Sequence, residues 1–98
     1  MVKHYHRTSL APDTVLEIAD ARFNKLGLTR NAADSRTRQF SGALGSLSMR
    51  VFMEGGHYTF VEVQTDQVGE SRLDKNVKKF FVALHRTEEP RHTIRASC

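Results

Sequence analysis

The sequence contains a single cysteine, Cys98, and no tryptophan. One cysteine cannot form a disulfide within the chain, so the protein is not a disulfide-stabilised scaffold and suits a reducing compartment. The sequence also lacks an apolar run near the roughly 18 residues that a membrane span requires. Its first residues lack the apolar stretch of a secretory signal. We therefore expect a cytoplasmic protein with no membrane partner.

Recognisable catalytic motifs are missing as well. The sequence has no GxSxG, no HExxH, no phosphate-binding Walker loop and no GxGxxG. It therefore supports no catalytic residue and no cofactor, and catalysis is left without support. Metal binding needs three or four converging ligands, and no cysteine pair or paired aspartate completes such a set. We expect no metal site, and we expect the first two of the five histidines to be exposed on an N-terminal strand: His4, His6, His57, His85 and His92.

Length and charge favour one small domain. Ninety-eight residues rarely divide into two independent cores. The domain is expected over 1–86, and 87–98 is predicted to be a disordered tail because it contains Pro90 and few apolar residues. The net charge is +4, but the segment 21–53 is basic and the segment 54–74 is acidic. Segments of opposite sign are expected to neutralise each other within the fold.

Two amphipathic helices are predicted. The first spans 12–26, beginning at Pro12, which suits a first helical turn, and followed by Gly27, which suits a C-terminal cap. The second spans about 69–86, with acidic residues early and basic residues late, as the helix dipole favours. Its apolar residues form one continuous stripe: Leu73, Val77, Phe80, Phe81 and Leu84.

A double glycine, Gly55-Gly56, marks a hairpin between predicted strands at 46–54 and 58–65. The loop contains either two residues or three, the third being His57. The two choices differ by one residue in register, and such a slip moves one strand's side chains to the opposite face.

The three-residue loop gives consistent faces. It pairs Arg50 with Glu62 and Phe52 with Phe60, and both pairs are favourable across strands. The two-residue loop instead opposes Arg50 and Val61, which points charge into an apolar row. We therefore predict the three-residue loop, which collects the aliphatic residues on one face: Leu47, Met49, Val51, Met53, Val61 and Val63.

The expected fold class is α+β. Further strands are plausible at 2–8, 28–31 and 37–41. The aliphatic face of the hairpin is the only large apolar surface available to both helical stripes. The predicted architecture is a two-layer sandwich in the order (β)-α-β-β-β-β-α, in which an antiparallel meander of three to four strands, with a possible extra N-terminal edge strand, packs against the two helices.

The opposite face of the sheet is the candidate site. Phe52, Tyr58 and Phe60 are expected to stand there together beside Arg50, and Phe40 is a possible fourth ring. An exposed aromatic cluster is typical of an interface. We therefore expect a binding domain that associates with another protein or, face to face, with a second copy of itself. The alternative is that the N-terminal strand or the tail covers this face.

A second hypothesis is binding of single-stranded nucleic acid on the same face. Arg38 and Arg50 would contact phosphates, while Phe52 and Phe60 would stack on bases. The presence of Glu62 on that face weighs against this reading.

A third hypothesis is a small apolar ligand held between helices and sheet. Its cavity would be lined by Met49, Met53 and Phe81. A densely packed interior at these residues would exclude it.

The second predicted helix also carries a basic stripe at Arg72, Lys75, Lys79 and Arg86. Such a row usually indicates a solvated helix face. It also has the character of a surface that attracts an acidic partner or a phosphate backbone.

Overall fold

The protein is an antiparallel sheet covered on one face by two helices. The computed structural model describes residues 2–56, 58–68 and 71–88. The five strands form one sheet in the order β1-β5-β4-β3-β2. This is the predicted two-layer α+β sandwich, with the N-terminal segment as the extra edge strand. The elements are β1 (Val2–Thr8), α1 (Pro12–Lys25), β2 (Thr29–Ala33), β3 (Thr37–Gly42), β4 (Gly45–Glu54), β5 (Tyr58–Thr65) and α2 (Arg72–Glu88).

Pro12 and Gly27 mark the two ends of helix α1. Pro12 occupies the first turn, where its missing N–H costs no hydrogen bond. At the other end Gly27 has φ +96°, and the N–H of Leu28 donates to the carbonyl of Phe23 at 3.0 Å. This hydrogen-bond pattern closes the helix one residue before the predicted end.

The β4–β5 hairpin has the predicted register. Arg50 pairs with Glu62, and Phe52 pairs with Phe60, as the three-residue loop requires. Gly55 and Gly56 have φ of +65° and +75°, a region that residues with a β-carbon enter at a cost. The register confirms that one face of the hairpin is aliphatic and the other aromatic.

Strand β2 differs from the sequence prediction. It extends to Ala33, two residues beyond the predicted end, and its pairing with β3 shifts between Arg30 and Ala32. The following turn is closed by Asp34, whose Oδ1 accepts the backbone N–H groups of Arg36 and Thr37, each at 2.8 Å. Both hydrogen bonds lower the pKa of Asp34, because they stabilise the charged carboxylate.

Helix α2 runs from Arg72 to Glu88. It therefore includes Thr87 and Glu88, which the sequence prediction assigned to the tail, while residues 89–98 lie outside the described part of the chain. Ser71 precedes the helix, and its Oγ accepts the N–H of Asp74 at 3.0 Å, so the described helix begins later than 69. Among the described residues, no helix is long and apolar enough to cross a membrane.

One continuous core lies between the layers. Phe23 of α1 stands at its centre, with its ring centroid 5.4 Å from that of Phe40 on β3 and 5.3 Å from that of Phe80 on α2. Met53, predicted in the buried row, is 48% exposed. The fully buried members are Val15, Leu16, Ala19, Phe23, Leu28, Phe40, Leu47, Met49, Val51, Val61, Val63, Leu73, Val77, Phe80 and Leu84.

Candidate functional site

The face of the sheet turned away from the helices carries an aromatic cluster on three adjacent strands. Phe52 and Phe60 pair across β4 and β5, with ring centroids 5.1 Å apart. Tyr5 of β1 continues the row, 5.6 Å from Phe60. Tyr58 lies two residues before Phe60 on the same face of β5 and is 48% exposed. We call these four rings, together with Arg50, the aromatic face.

Tyr5 is the member that the sequence analysis missed. It is 53% exposed and lies on the aromatic face because β1 pairs with β5, with Tyr5 opposite Glu62. A signal for this placement exists in the sequence. Lys3 and Arg7 share the parity of Tyr5 along the strand, and two charged residues on one face mark that face as the solvent side.

Arg50 is held at the centre of the aromatic face. Its guanidinium carbon lies 5.1 Å from the centroid of the Phe52 ring, within the range of a cation–π contact. Its Nη2 is 3.5 Å from Oε2 of Glu62. The two contacts fix the position of a cation that is otherwise exposed. The centre of the face therefore presents a positive and a negative group side by side among rings.

An open depression of about 570 Å³ borders this cluster. It lies between the β2–β3 turn and strand β4, and Arg36, Arg50 and Phe52 line it together with Asp34, Ser35, Thr37 and Val51. The aromatic face is therefore not flat at this side, and a protruding side chain of a partner has space to enter.

Arg38 and Phe40 are not on the aromatic face, contrary to the sequence prediction. They pair with Met49 and Leu47 and so share the inner face. Phe40 is fully buried. Arg38 donates from Nε to Oδ1 of Asp20 at 3.0 Å and from Nη1 to the carbonyl of Thr37 at 2.8 Å. The predicted nucleic-acid set of Arg38, Arg50, Phe52 and Phe60 is therefore divided between the two faces.

His4 and His6 also lie on the inner face, so the expectation that they are exposed is wrong. Their strand packs against α2, and three polar residues of β1 contact three residues of that helix. His4 lies 2.8 Å from Asp74, the ring of His6 stacks on Phe81 with centroids 5.0 Å apart, and Thr8 donates to Glu88 at 2.7 Å. We call these contacts the polar seam.

Asp74 is the most buried charge of the polar seam, at 1% exposure. Its Oδ1 accepts from His4 Nε2 and from Thr65 Oγ1, each at 2.8 Å, and its Oδ2 accepts from Ser71 Oγ at 2.6 Å. Burial alone raises the pKa of Asp74, but the bonds from Ser71, His4 and Thr65 outweigh burial and lower the pKa to about 2. The spacing Ser71-x-x-Asp74 is the sequence signal that identifies this helix start.

The hydroxyl groups next to the His4–Asp74 pair are held by the carboxylate. In a histidine–carboxylate pair that activates a side-chain nucleophile, the hydroxyl or thiol instead reaches the histidine. Here the hydroxyls of Thr65 and Ser71 both donate to Asp74, so the carboxylate and not the histidine holds them. The chemistry of this cluster is that of a satisfied buried charge that attaches β1 to α2.

The described residues contain no group of three or more histidine, cysteine or acidic side chains that could hold a metal ion. His57, His92 and Cys98 lie outside these residues, so the expectation of no metal site stays a prediction.

A comparison with known proteins finds no protein family that matches the chain and no curated protein with significant similarity to it. The geometry of the aromatic face and the charges around it are the features that bear on function.

Proposed function

We propose that this chain is a non-catalytic binding domain that associates with a second copy of itself through the aromatic face. The observation that supports the proposal is the exposure of Tyr5 and Tyr58, each close to half exposed, beside the ring pair Phe52–Phe60. Clustered exposed aromatic residues are typical of protein interfaces. Both helices pack on the other side of the sheet, so none of the described helices covers this cluster.

The charges of the aromatic face favour a second copy as the partner. In a two-fold interface the same surface patch occurs on both sides, so it must be complementary to itself. Arg50 and Glu62 lie next to each other at the centre of the face. A two-fold related copy can therefore bring Arg50 of one protomer to the partner's Glu62. A partner of one charge sign would match only half of this arrangement.

The size of the sheet indicates a weak dimer. Five strands spaced about 4.8 Å apart, with about eight residues at 3.3 Å each, give a face of about 600 Å². A standard interface buries about 800 Å² on each partner. The whole outer face of the sheet is thus slightly smaller than a standard interface, and we expect a dissociation constant in the micromolar range.

Sedimentation velocity tests this proposal. We expect the wild-type protein to be dimeric at about 100 μM and monomeric at about 1 μM. Phe52→Arg and Tyr58→Arg each place a second positive charge against Arg50 in the dimer, and both variants are expected to stay monomeric. Val82→Arg is the matched control, because Val82 lies on α2 and is 49% exposed, almost the same fraction as Tyr58.

The outcomes separate the proposal from its rivals. A wild-type protein that is monomeric at the higher concentration contradicts self-association. Equal weakening by Tyr58→Arg and Val82→Arg contradicts the choice of face. Arg38 does not lie on the aromatic face. The nucleic-acid hypothesis for this surface therefore keeps only one of its two phosphate contacts, Arg50. The hypothesis of an apolar ligand between the layers stays a prediction, as does the cytoplasmic location.

A further inference from the structure

The outward surface of α2 is more basic than its sequence suggests. Within Arg72–Glu88 the helix has five basic residues and two acids, Asp74 and Glu88. Both acids are engaged by β1 in the polar seam, where Asp74 bonds to His4 and Glu88 to Thr8. The acids that would neutralise the helix therefore point toward the sheet, and the charged side chains left on its outward surface are cations.

Four of these cations form one row. Arg72, Lys75, Lys79 and Arg86 follow the spacing i, i+3, i+7 and i+14, and all four are exposed. At 1.5 Å per residue the row is about 21 Å long. We call it the basic ridge. Its side chains lie on one face because residues three and four apart are neighbours on a helix surface.

Helix α1 adds cations across a groove from the basic ridge. Arg22 lines an open depression of about 540 Å³ together with Lys79 and Arg86, and Lys25 borders a second depression beside it. None of the residues that line either depression is acidic. Within the described part of the chain, no carboxylate forms an ion pair with the cations of the basic ridge or with Arg22 and Lys25. The one aspartate in the second half of α1, Asp20, is held by Arg30 and Arg38.

We propose that the basic ridge and the facing end of α1 bind the phosphate backbone of a nucleic acid. A linear row of cations that pair with no described carboxylate, with more cations across a groove, fits a linear polyanion. An anionic membrane surface fits less well, because a helix that lies on a membrane needs large apolar residues beside its basic face. Among the described residues, Val82 is the only large exposed apolar residue on either helix.

Binding of this kind has a defined salt dependence. Each phosphate contact releases condensed counterions, so about four contacts give a slope near −3.6 for log K against log salt on duplex DNA. The affinity is then expected to fall by about 100-fold between 50 mM and 200 mM salt. Because phosphate contacts carry no sequence information, the binding is expected to be independent of nucleotide sequence.

Fluorescence anisotropy with a labelled 20-base-pair DNA and a labelled 20-nucleotide RNA tests the proposal. The double variant Lys79→Glu/Arg86→Glu is expected to lower the affinity at least about tenfold and to reduce the salt slope by about 2. The matched control is Lys3→Glu/Arg7→Glu, which changes the net charge equally at two exposed positions of β1 on the outer side of the sheet and is expected to change the affinity less than about threefold. Circular dichroism checks that each variant is folded, and Lys79→Gln/Arg86→Gln replaces the first variant if charge reversal prevents folding.

Binding of either probe with these effects supports the proposal. Absence of binding at 50 mM salt, or an equal loss in both double variants, overturns it, as does binding to vesicles of anionic lipid without binding to nucleic acid. The inference does not rest on self-association, because the aromatic face and the basic ridge lie on opposite sides of the protein. Phe52→Arg therefore separates the two proposals, since it is expected to abolish dimers and to leave the ridge intact.

Discussion

Replacement of Asp74 by asparagine tests the energetics of the polar seam. The change removes the charge and keeps the shape, so the variant resembles wild-type protein with a protonated Asp74. The pKa of Asp74 falls from 3.8 to about 2 on folding. Each pKa unit corresponds to about 1.4 kcal/mol, so the ionised carboxylate contributes about 2 kcal/mol. We expect Asp74→Asn to reduce the free energy of unfolding by this amount at pH 7.

The pH dependence of that difference follows from the sign of the shift. The pKa of Asp74 is lower in the folded state, so its contribution is complete above the unfolded pKa of 3.8 and is lost as pH falls toward about 2. About half of the contribution, close to 1 kcal/mol, remains at pH 3. The stabilities of wild type and Asp74→Asn are therefore expected to converge on acidification.

Urea unfolding followed by far-ultraviolet circular dichroism measures both quantities, since the protein has no tryptophan to serve as a fluorescence probe. Asp13→Asn is the control, because the Asp13 side chain is 87% exposed, and it is expected to change stability by less than about 0.5 kcal/mol. The reasoning is refuted if Asp74→Asn matches the wild type at pH 7, or if the gap between them persists unchanged at pH 3.

Four further substitutions test other parts of the fold. Gly55→Ala and Gly56→Ala are each expected to reduce the free energy of unfolding by about 1 kcal/mol in urea titrations, because an added Cβ meets no atom within 4 Å and only the positive φ opposes it. Phe23→Ala is expected to cost about 3–5 kcal/mol by the same measurement, because it empties the centre of the core. His6→Phe removes a buried Nε2 that has no hydrogen-bond partner among the described residues. Burial lowers the pKa of His6, so wild-type stability falls below the usual histidine pKa, and the melting temperature of His6→Phe is expected to vary less between pH 8 and pH 5.

The sequence predicts those parts of the fold that follow from apolar periodicity and from favourable cross-strand pairs. The β4–β5 register follows from it because only one alignment sets Arg50 opposite Glu62 and keeps charge out of the aliphatic row. Arg50 and three of the four rings of the aromatic face are predicted for the same reason. The helices were located from apolar periodicity, which depends on local spacing alone and needs no knowledge of distant contacts.

Residues whose faces are set by distant partners were not predictable in this way. Arg38 and Phe40 lie on the same face of strand β3. Because one of them is charged and the other is apolar, the sequence does not indicate whether that face is buried or exposed. The structure resolves the ambiguity with Asp20, which lies eighteen positions away and accepts from the Arg38 guanidinium. The position of His4 is even harder to predict, because its hydrogen-bond partner, Asp74, is seventy positions away in the sequence.

Both proposals depend on where β1 pairs. Because β1 joins the edge of β5, it places Tyr5 on the aromatic face and turns His4 and Thr8 toward α2. The polar inner side of the strand needs hydrogen-bond acceptors once it is buried, and the two acids of α2 supply them. These acids therefore point toward the sheet, and the charged side chains on the outward surface of the helix are cations. A single edge strand with polar residues on its inner side thus adds a ring to the aromatic face and leaves the outward surface of α2 basic.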